Sequence, residues 1–188
     1  MEIFSEDRGL YSLQDQLLNA GVNIDSWGKG EAKSLGDLQK EIDEGESVLI
    51  NEDEKLLRKV TVCTANVYYL SPDHKKYRLK EGRQVFKDGR ERRRALPQGV
   101  SGKMKAYEDP RNAMAREIKE ELGLEGEVSL VDIGSDIKTI NSPSYPGLQS
   151  QYLHYYFDSI LTDQQFKFEG YIEEQDGLMT YFNWEEVV

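Results

Sequence analysis

A chain of 188 residues, 38% of them hydrophobic, is long enough to close one core without metal or disulfide staples, and its single cysteine, Cys63, leaves no intrachain disulfide. The formal net charge of −11 excludes a protein that coats nucleic acid nonspecifically. No apolar run approaches the roughly 18 residues of a membrane span, and MEIFSEDRGL has neither the basic start nor the apolar stretch of a signal peptide, so a soluble, cytoplasmic protein is expected.

The first 46 residues read as a short helical extension. Ser12 caps a helix carrying Leu13, Leu17 and Leu18 that Gly21 ends. Ser34 with Asp37 forms a capping box for a second helix carrying Leu35, Leu38 and Ile42 that Gly45 ends. The glycine-rich stretch between them is a loop anchored by Trp27. Helices this short must dock on other structure to be stable, so covering a sheet edge or shaping a substrate wall is their expected role.

Residues 47–188 read as the main domain. Ser47 to Asn51 and Leu56 to Lys59 form a hairpin across Glu52-Asp53-Glu54. Val60 to Tyr69 alternates as a core strand, and Cys63 within it reads as a buried structural thiol. Tyr77 to Lys80 and Arg83 to Phe86 flank a turn at Glu81-Gly82, and a further strand follows over Arg90 to Leu96. Residues 71–105 hold twelve Lys or Arg against four acids, a local excess of +8 that leaves −19 elsewhere. Such a basic segment suits attraction of a polyanion, or else forms two ordinary solvated strand faces. Val128 to Ile140 reads as a strand broken near Gly134-Ser135, and Asn141 to Ser150 as a loop. Gln151 to Ile160 is a tyrosine-rich strand, Phe166 to Gln175 begins a last segment, and Met179 to Trp184 is a final strand.

The informative stretch is Gly102 to Leu124, GKMKAYEDPRNAMAREIKEELGL. Asp109 before Pro110 starts a helix and Gly123 stops it, which predicts a helix over 110–122. At about 100° per residue, Glu117, Glu120 and Glu121 share one arc beside an apolar stripe of Met114, Ala115, Ile118 and Leu122. Three like charges so close repel one another unless something positive lies between them, and oxygen-only ligands suit Mg2+ or Mn2+. Arg116, four residues before Glu120, is within reach of that carboxylate.

This stretch resembles the Nudix box, G-x5-E-x7-R-E-U-x-E-E-x-G-U with U aliphatic. It matches at every defined position: Gly102, Glu108, Arg116, Glu117, Ile118, Glu120, Glu121, Gly123 and Leu124. The resemblance implies a Nudix-type α/β/α sandwich with a mixed β-sheet. It also implies a metal-dependent pyrophosphohydrolase acting on a nucleoside diphosphate linked to another moiety. Glu117, Glu120 and Glu121 would bind the metal together with the carbonyl of Ser101, a position where glycine is common. Arg116 would steady Glu120, Glu108 would be its salt-bridge partner, and Gly102 and Gly123 would serve backbone shape. The general base is Glu120 or a later carboxylate, Glu173 or Glu174, with Glu120 preferred between them and Glu174 kept as a catalytic candidate.

Substrate recognition should come from outside the box. Arg92 and Arg94, alternate residues of one strand, can hold phosphate, and Tyr145 and Tyr152 can stack a base. The expected partner is a small nucleotide diphosphate, with no membrane and no stable nucleic-acid complex; a homodimer is compatible with this reading. Rival functions are a non-catalytic nucleotide-binding module of the same fold and a hydrolase of RNA caps or dinucleotides. An isomerase of small diphosphates would need an active-site cysteine, for which Cys63 is poorly placed.

Overall fold

The computed structural model describes residues 12–93, 99–175 and 177–187. In chain order the elements are α1 (Leu13–Asn19), α2 (Leu35–Asp43), β1 (Ser47–Glu52), β2 (Lys55–Leu70), β3 (Lys76–Phe86) and β4 (Glu91–Arg92). They continue with β5 (Val100–Lys103), α3 (Pro110–Leu122), β6 (Val131–Asn141), β7 (Gln149–Leu161), β8 (Tyr171–Gln175) and β9 (Leu178–Val187). The fold is α/β, with few helices and a mixed sheet whose hydrogen-bonded order is β6-β7-β2-β3-β9-β8; β1 and β5 also pair with β2, and β4 with β3.

Three strands differ in extent from the sequence expectation, for one physical reason. The hairpin arm and the core strand merge into the 16-residue β2, because no breaker separates Lys59 from Val60. Glu81-Gly82 is not a turn. The strand β3 runs straight through it, pairing with β9 on both sides, and the register shifts between Glu81 and Arg83 as a bulge. A side chain on Gly82 would land on the amide of Asn183, so glycine fits where the two strands approach closely. Gly134, at φ 125°, does not break β6 either. Glycine punctuates a strand only when the partner strand also turns away.

The chain divides into two compact units. Residues 1–60 and 137–153 make one, so the helical extension clusters with the loop after β6 as well as with β1. Both helices there carry complete capping boxes, Ser12 with Asp15 and Ser34 with Asp37. Leu17, Val22, Trp27 and Leu38 pack with Tyr145 and Leu148 in a small core, and the indole of Trp27 donates to the Pro146 carbonyl at 2.9 Å. A buried ion pair lies in the same unit: Arg58 donates to Glu41 at 2.5 Å, and both side chains are almost wholly covered.

Residues 61–136 and 154–188 make the second unit. Its core joins Cys63, Ala65 and Val67 of β2, Leu79 of β3, Val100 of β5, Phe157 and Leu161 of β7 and Phe182 of β9 to one face of α3: Ala113, Met114, Ile118 and Leu122. The helix α3 is bounded by the predicted signals. The Asp109 carboxylate accepts from the amides of Arg111 and Asn112, and Gly123 closes the helix at φ 59°.

Candidate active site

The apolar stripe of α3 faces the sheet, so the residues beside it are carried to the rim of the core. Glu117 and Glu120 lie one turn apart there and meet different surroundings. The Glu117 side chain is 14% exposed and that of Glu120 is 61% exposed, so only the first is held in a partly dry environment. Glu117 rests directly over Gly102 of β5, where a Cβ would collide with its carboxylate. Burial raises its pKa above the ordinary value, against the pull of Arg116.

Arg116 organises the outer carboxylates. Its Nε and Nη2 fork onto Glu108 at 2.9 Å each, and its Nη1 donates to Glu117 at 2.7 Å and to Glu120 at 3.2 Å. The fork holds the Glu108 carboxyl below its usual range, while Glu108 and Glu117 raise the guanidinium above its own.

Glu121 sits deeper. Its pKa is pushed up to about 9, first by burial and then by the charges of Glu173 on β8, Glu117 and Glu81, which the Ser101 amide donating to it only partly offsets. Four carboxylates therefore crowd around the junction of α3, β5, β3 and β8. Cys63 lies behind them with its thiol pushed up to about 12 by burial, and it has no exposure. It is a core residue and not a nucleophile.

Among the described residues no three of His, Cys, Asp or Glu stand at coordinating spacing. The donor set fits a hard divalent cation nonetheless: oxygen atoms only, a half-buried carboxyl whose ionised form is penalised by its neighbours, and no soft ligand in reach.

The other sequence candidates fall as follows. Glu174 is exposed on β8 opposite Met179, whereas Glu173 is the carboxylate whose charge bears on Glu121. Adjacent residues of a strand face opposite ways, so Glu173 and Glu174 do not both face Glu121. Tyr145 is fully buried between the Trp27 ring, 5.1 Å away, and the Arg58 guanidinium, 5.0 Å away; it is a core residue and offers no surface to a base. Tyr152 accepts from Arg58 at 3.3 Å in the same unit as Tyr145, and that unit does not contain the carboxylates. Arg92 is exposed and donates twice to Gln84. Arg94 lies outside the described residues. Sequence reasoning missed Glu81 and Gln84; the signal was the Gly82 bulge, which spacing alone reads as a turn.

A model of the NUDIX domain matches residues 79–187, more than half of the chain. The chain belongs to the Nudix hydrolase family. As a Nudix hydrolase it is similar in structure to a MutT/nudix family protein of Enterococcus faecalis, at TM-score 0.48 and 14% identity over 94% of this chain and 56% of that one. The dihydroneopterin triphosphate pyrophosphohydrolase of E. coli superposes at TM-score 0.38 and 17% identity, covering 68% and 76%. An Ap4A hydrolase of C. elegans does so at 0.37 and 13%, covering 67% and 79%. No curated protein matches the sequence of this Nudix hydrolase. No helix among its described residues is long and apolar enough to cross a membrane.

Proposed function

We propose that this Nudix hydrolase is a metal-dependent pyrophosphohydrolase that cleaves a nucleoside diphosphate linked to a second moiety, with Mg2+ or Mn2+ as the ion. The crowding of Glu121 by Glu117, Glu173 and Glu81 carries the reading, because a protein that only bound nucleotide would gain nothing from such repulsion. Glu117, Glu120, Glu121 and the Ser101 carbonyl would hold the ion. When bound, it neutralises charge on the diphosphate and makes coordinated water more acidic.

The remaining tasks fall to the chain. Water must be held in line with one phosphorus, so that a new P–O bond forms as the bridging P–O bond breaks and the leaving phosphate departs with its oxygen. Glu120, the most solvated carboxylate of α3, takes the proton from that water. Arg116 positions Glu120 and Glu117 without touching substrate, and Glu108 anchors Arg116. Gly102 keeps room for the Glu117 carboxylate. Arg92 contacts the substrate outside the cleavage point.

The test is a screen of ADP-ribose, NADH, nucleotide sugars, dinucleoside polyphosphates and nucleoside triphosphates with Mg2+, with products identified by mass. Cleavage within a diphosphate bridge that Glu121→Gln abolishes, with folding intact, is the expected result. Absence of cleavage across the panel, with nucleotide still bound in EDTA, would assign the chain to binding instead.

A further inference from the structure

Arg92, Gln84, Thr180 and Glu173 stand directly opposite one another on four neighbouring strands, β4, β3, β9 and β8. Opposed residues project to the same face, so these four side chains form one row. Gln84 and Thr180 are both buried, at 4% exposure, which is unusual for polar side chains without a ligand or a partner to satisfy.

Gln84 has its partners at both ends. Its Oε1 accepts from Nε and Nη2 of Arg92 at 3.0 and 2.6 Å, and its Nε2 donates to Thr180 at 3.3 Å and reaches Glu81 at 3.5 Å. Turning the amide over would set its NH2 against the guanidinium donors, so the network fixes its orientation. One edge of the Arg92 fork is thereby occupied, and the guanidinium lies 5.2 Å over the ring of Phe86. Among the described residues its Nη1 has no hydrogen-bond partner, and that side faces a ligand in the reading below. At the far end of the row, the charge of Glu173 bears on Glu121. Three strand spacings, about 14 Å, separate the ends, before the side chains reach inward. Around Arg92 the strands β3 and β4 and their turn also carry Arg83, Lys87, Arg90 and Arg93 against Asp88 and Glu91, a field that favours an anion.

We propose that Gln84 is a positioning residue that aims Arg92 at a second anionic group of the substrate, a phosphate monoester remote from the diphosphate that is cleaved. This rests on the pyrophosphohydrolase reading for its first end, at Glu173 and Glu121. A nucleoside carrying phosphate at both ends spans such a row, the diphosphate lying by the carboxylates and the monoester on the guanidinium fork, which matches phosphate oxygens in pairs.

Two pairs of compounds differ by one ribose phosphate monoester: NADPH with NADH, and coenzyme A with dephospho-coenzyme A. The wild-type protein with Mg2+ should favour the phosphorylated member in kcat/KM by about ten- to hundredfold, the worth of a charge-assisted hydrogen bond. Arg92→Ala and Gln84→Met should each bring that ratio toward one through KM, with little movement in kcat. A merely structural role for Gln84 would lower both members of a pair alike and would overturn the assignment. Calorimetry of NADP+ and NAD+ in EDTA reads the row without cleavage. A preference for NADP+ that Arg92→Ala removes supports the row even if neither pair is hydrolysed, in which case the hydrolase reading alone fails. Equal binding of the two by wild type, or a preference that survives in Arg92→Ala, overturns the row whatever the activity. Arg92 is exposed, so this variant decides the matter should Gln84→Met fail to fold.

Discussion

Glu121 shows how one side chain sets stability against chemistry. Its folded-state pKa of about 9 lies above the ordinary 4.5, so the folded protein holds this proton more tightly than the unfolded chain does. The stability it contributes is present in full below about pH 4.5 and is lost as pH rises through 9. Glu121→Gln should therefore melt higher than wild type at pH 8 in EDTA, by about 2–4 °C for each kcal/mol of repulsion removed, and the difference should vanish at pH 4. Added Mg2+ should raise the melting point of wild type and not of the variant; differential scanning calorimetry checks both. Glu120→Gln should lower kcat by about a hundredfold, whereas Glu174→Gln, exposed on β8, should stay near wild type in the same assay. The residue types of this site were legible in the sequence: spacing on α3 placed three glutamates on one arc. Which of them is buried was not, because β5 and β8 decide that, and a strand's facing cannot be read until its register is known.

At the scale of elements, α3 was legible to the residue, since Asp109, Pro110 and Gly123 act locally through backbone geometry alone. Asp109→Ala removes two hydrogen bonds to the first turn and should cost about 1 kcal/mol in urea denaturation. The strand β5 is less forgiving. Gly102→Ala puts a methyl group where the Glu117 carboxylate lies, so overpacking should cost about 1–3 kcal/mol and displace Glu117 from the other acids. Loss of Mg2+-induced thermal stabilisation in a variant that still folds would report that displacement. The breaks expected within β2, β3 and β6 did not occur, because glycine and charge weaken a strand only locally while a partner strand restores the ladder.

For the whole molecule, the helical extension is part of a core rather than an appendage. Trp27, Leu17 and Leu38 cover Tyr145 and Leu148, and Glu41 neutralises the buried Arg58. A chain beginning at residue 47 would keep Arg58 and lose its carboxylate, a defect of about 3–5 kcal/mol. It should be recovered mainly as insoluble protein, and any soluble fraction should be cut rapidly by protease in the loop at 142–148. Capping motifs announced both helices in the sequence. Their partners, some hundred residues further on, carried no signal that one sequence can supply.

The bulge at Gly82 sets which way the chemistry looks. Glu81 and Gln84 are three apart and in an unbroken ladder would point to opposite sides, yet they oppose Phe182 and Thr180, which share a side. One surplus residue thus resets the alternation. Deleting Gly82 would leave Glu81 and Gln84 two apart in a regular ladder, still opposite Phe182 and Thr180, with Arg83 on the other face opposite Tyr181. A residue inserted beside Gly82 without a wider bulge would instead bring Arg83 opposite Thr180 and turn Gln84 to the other face.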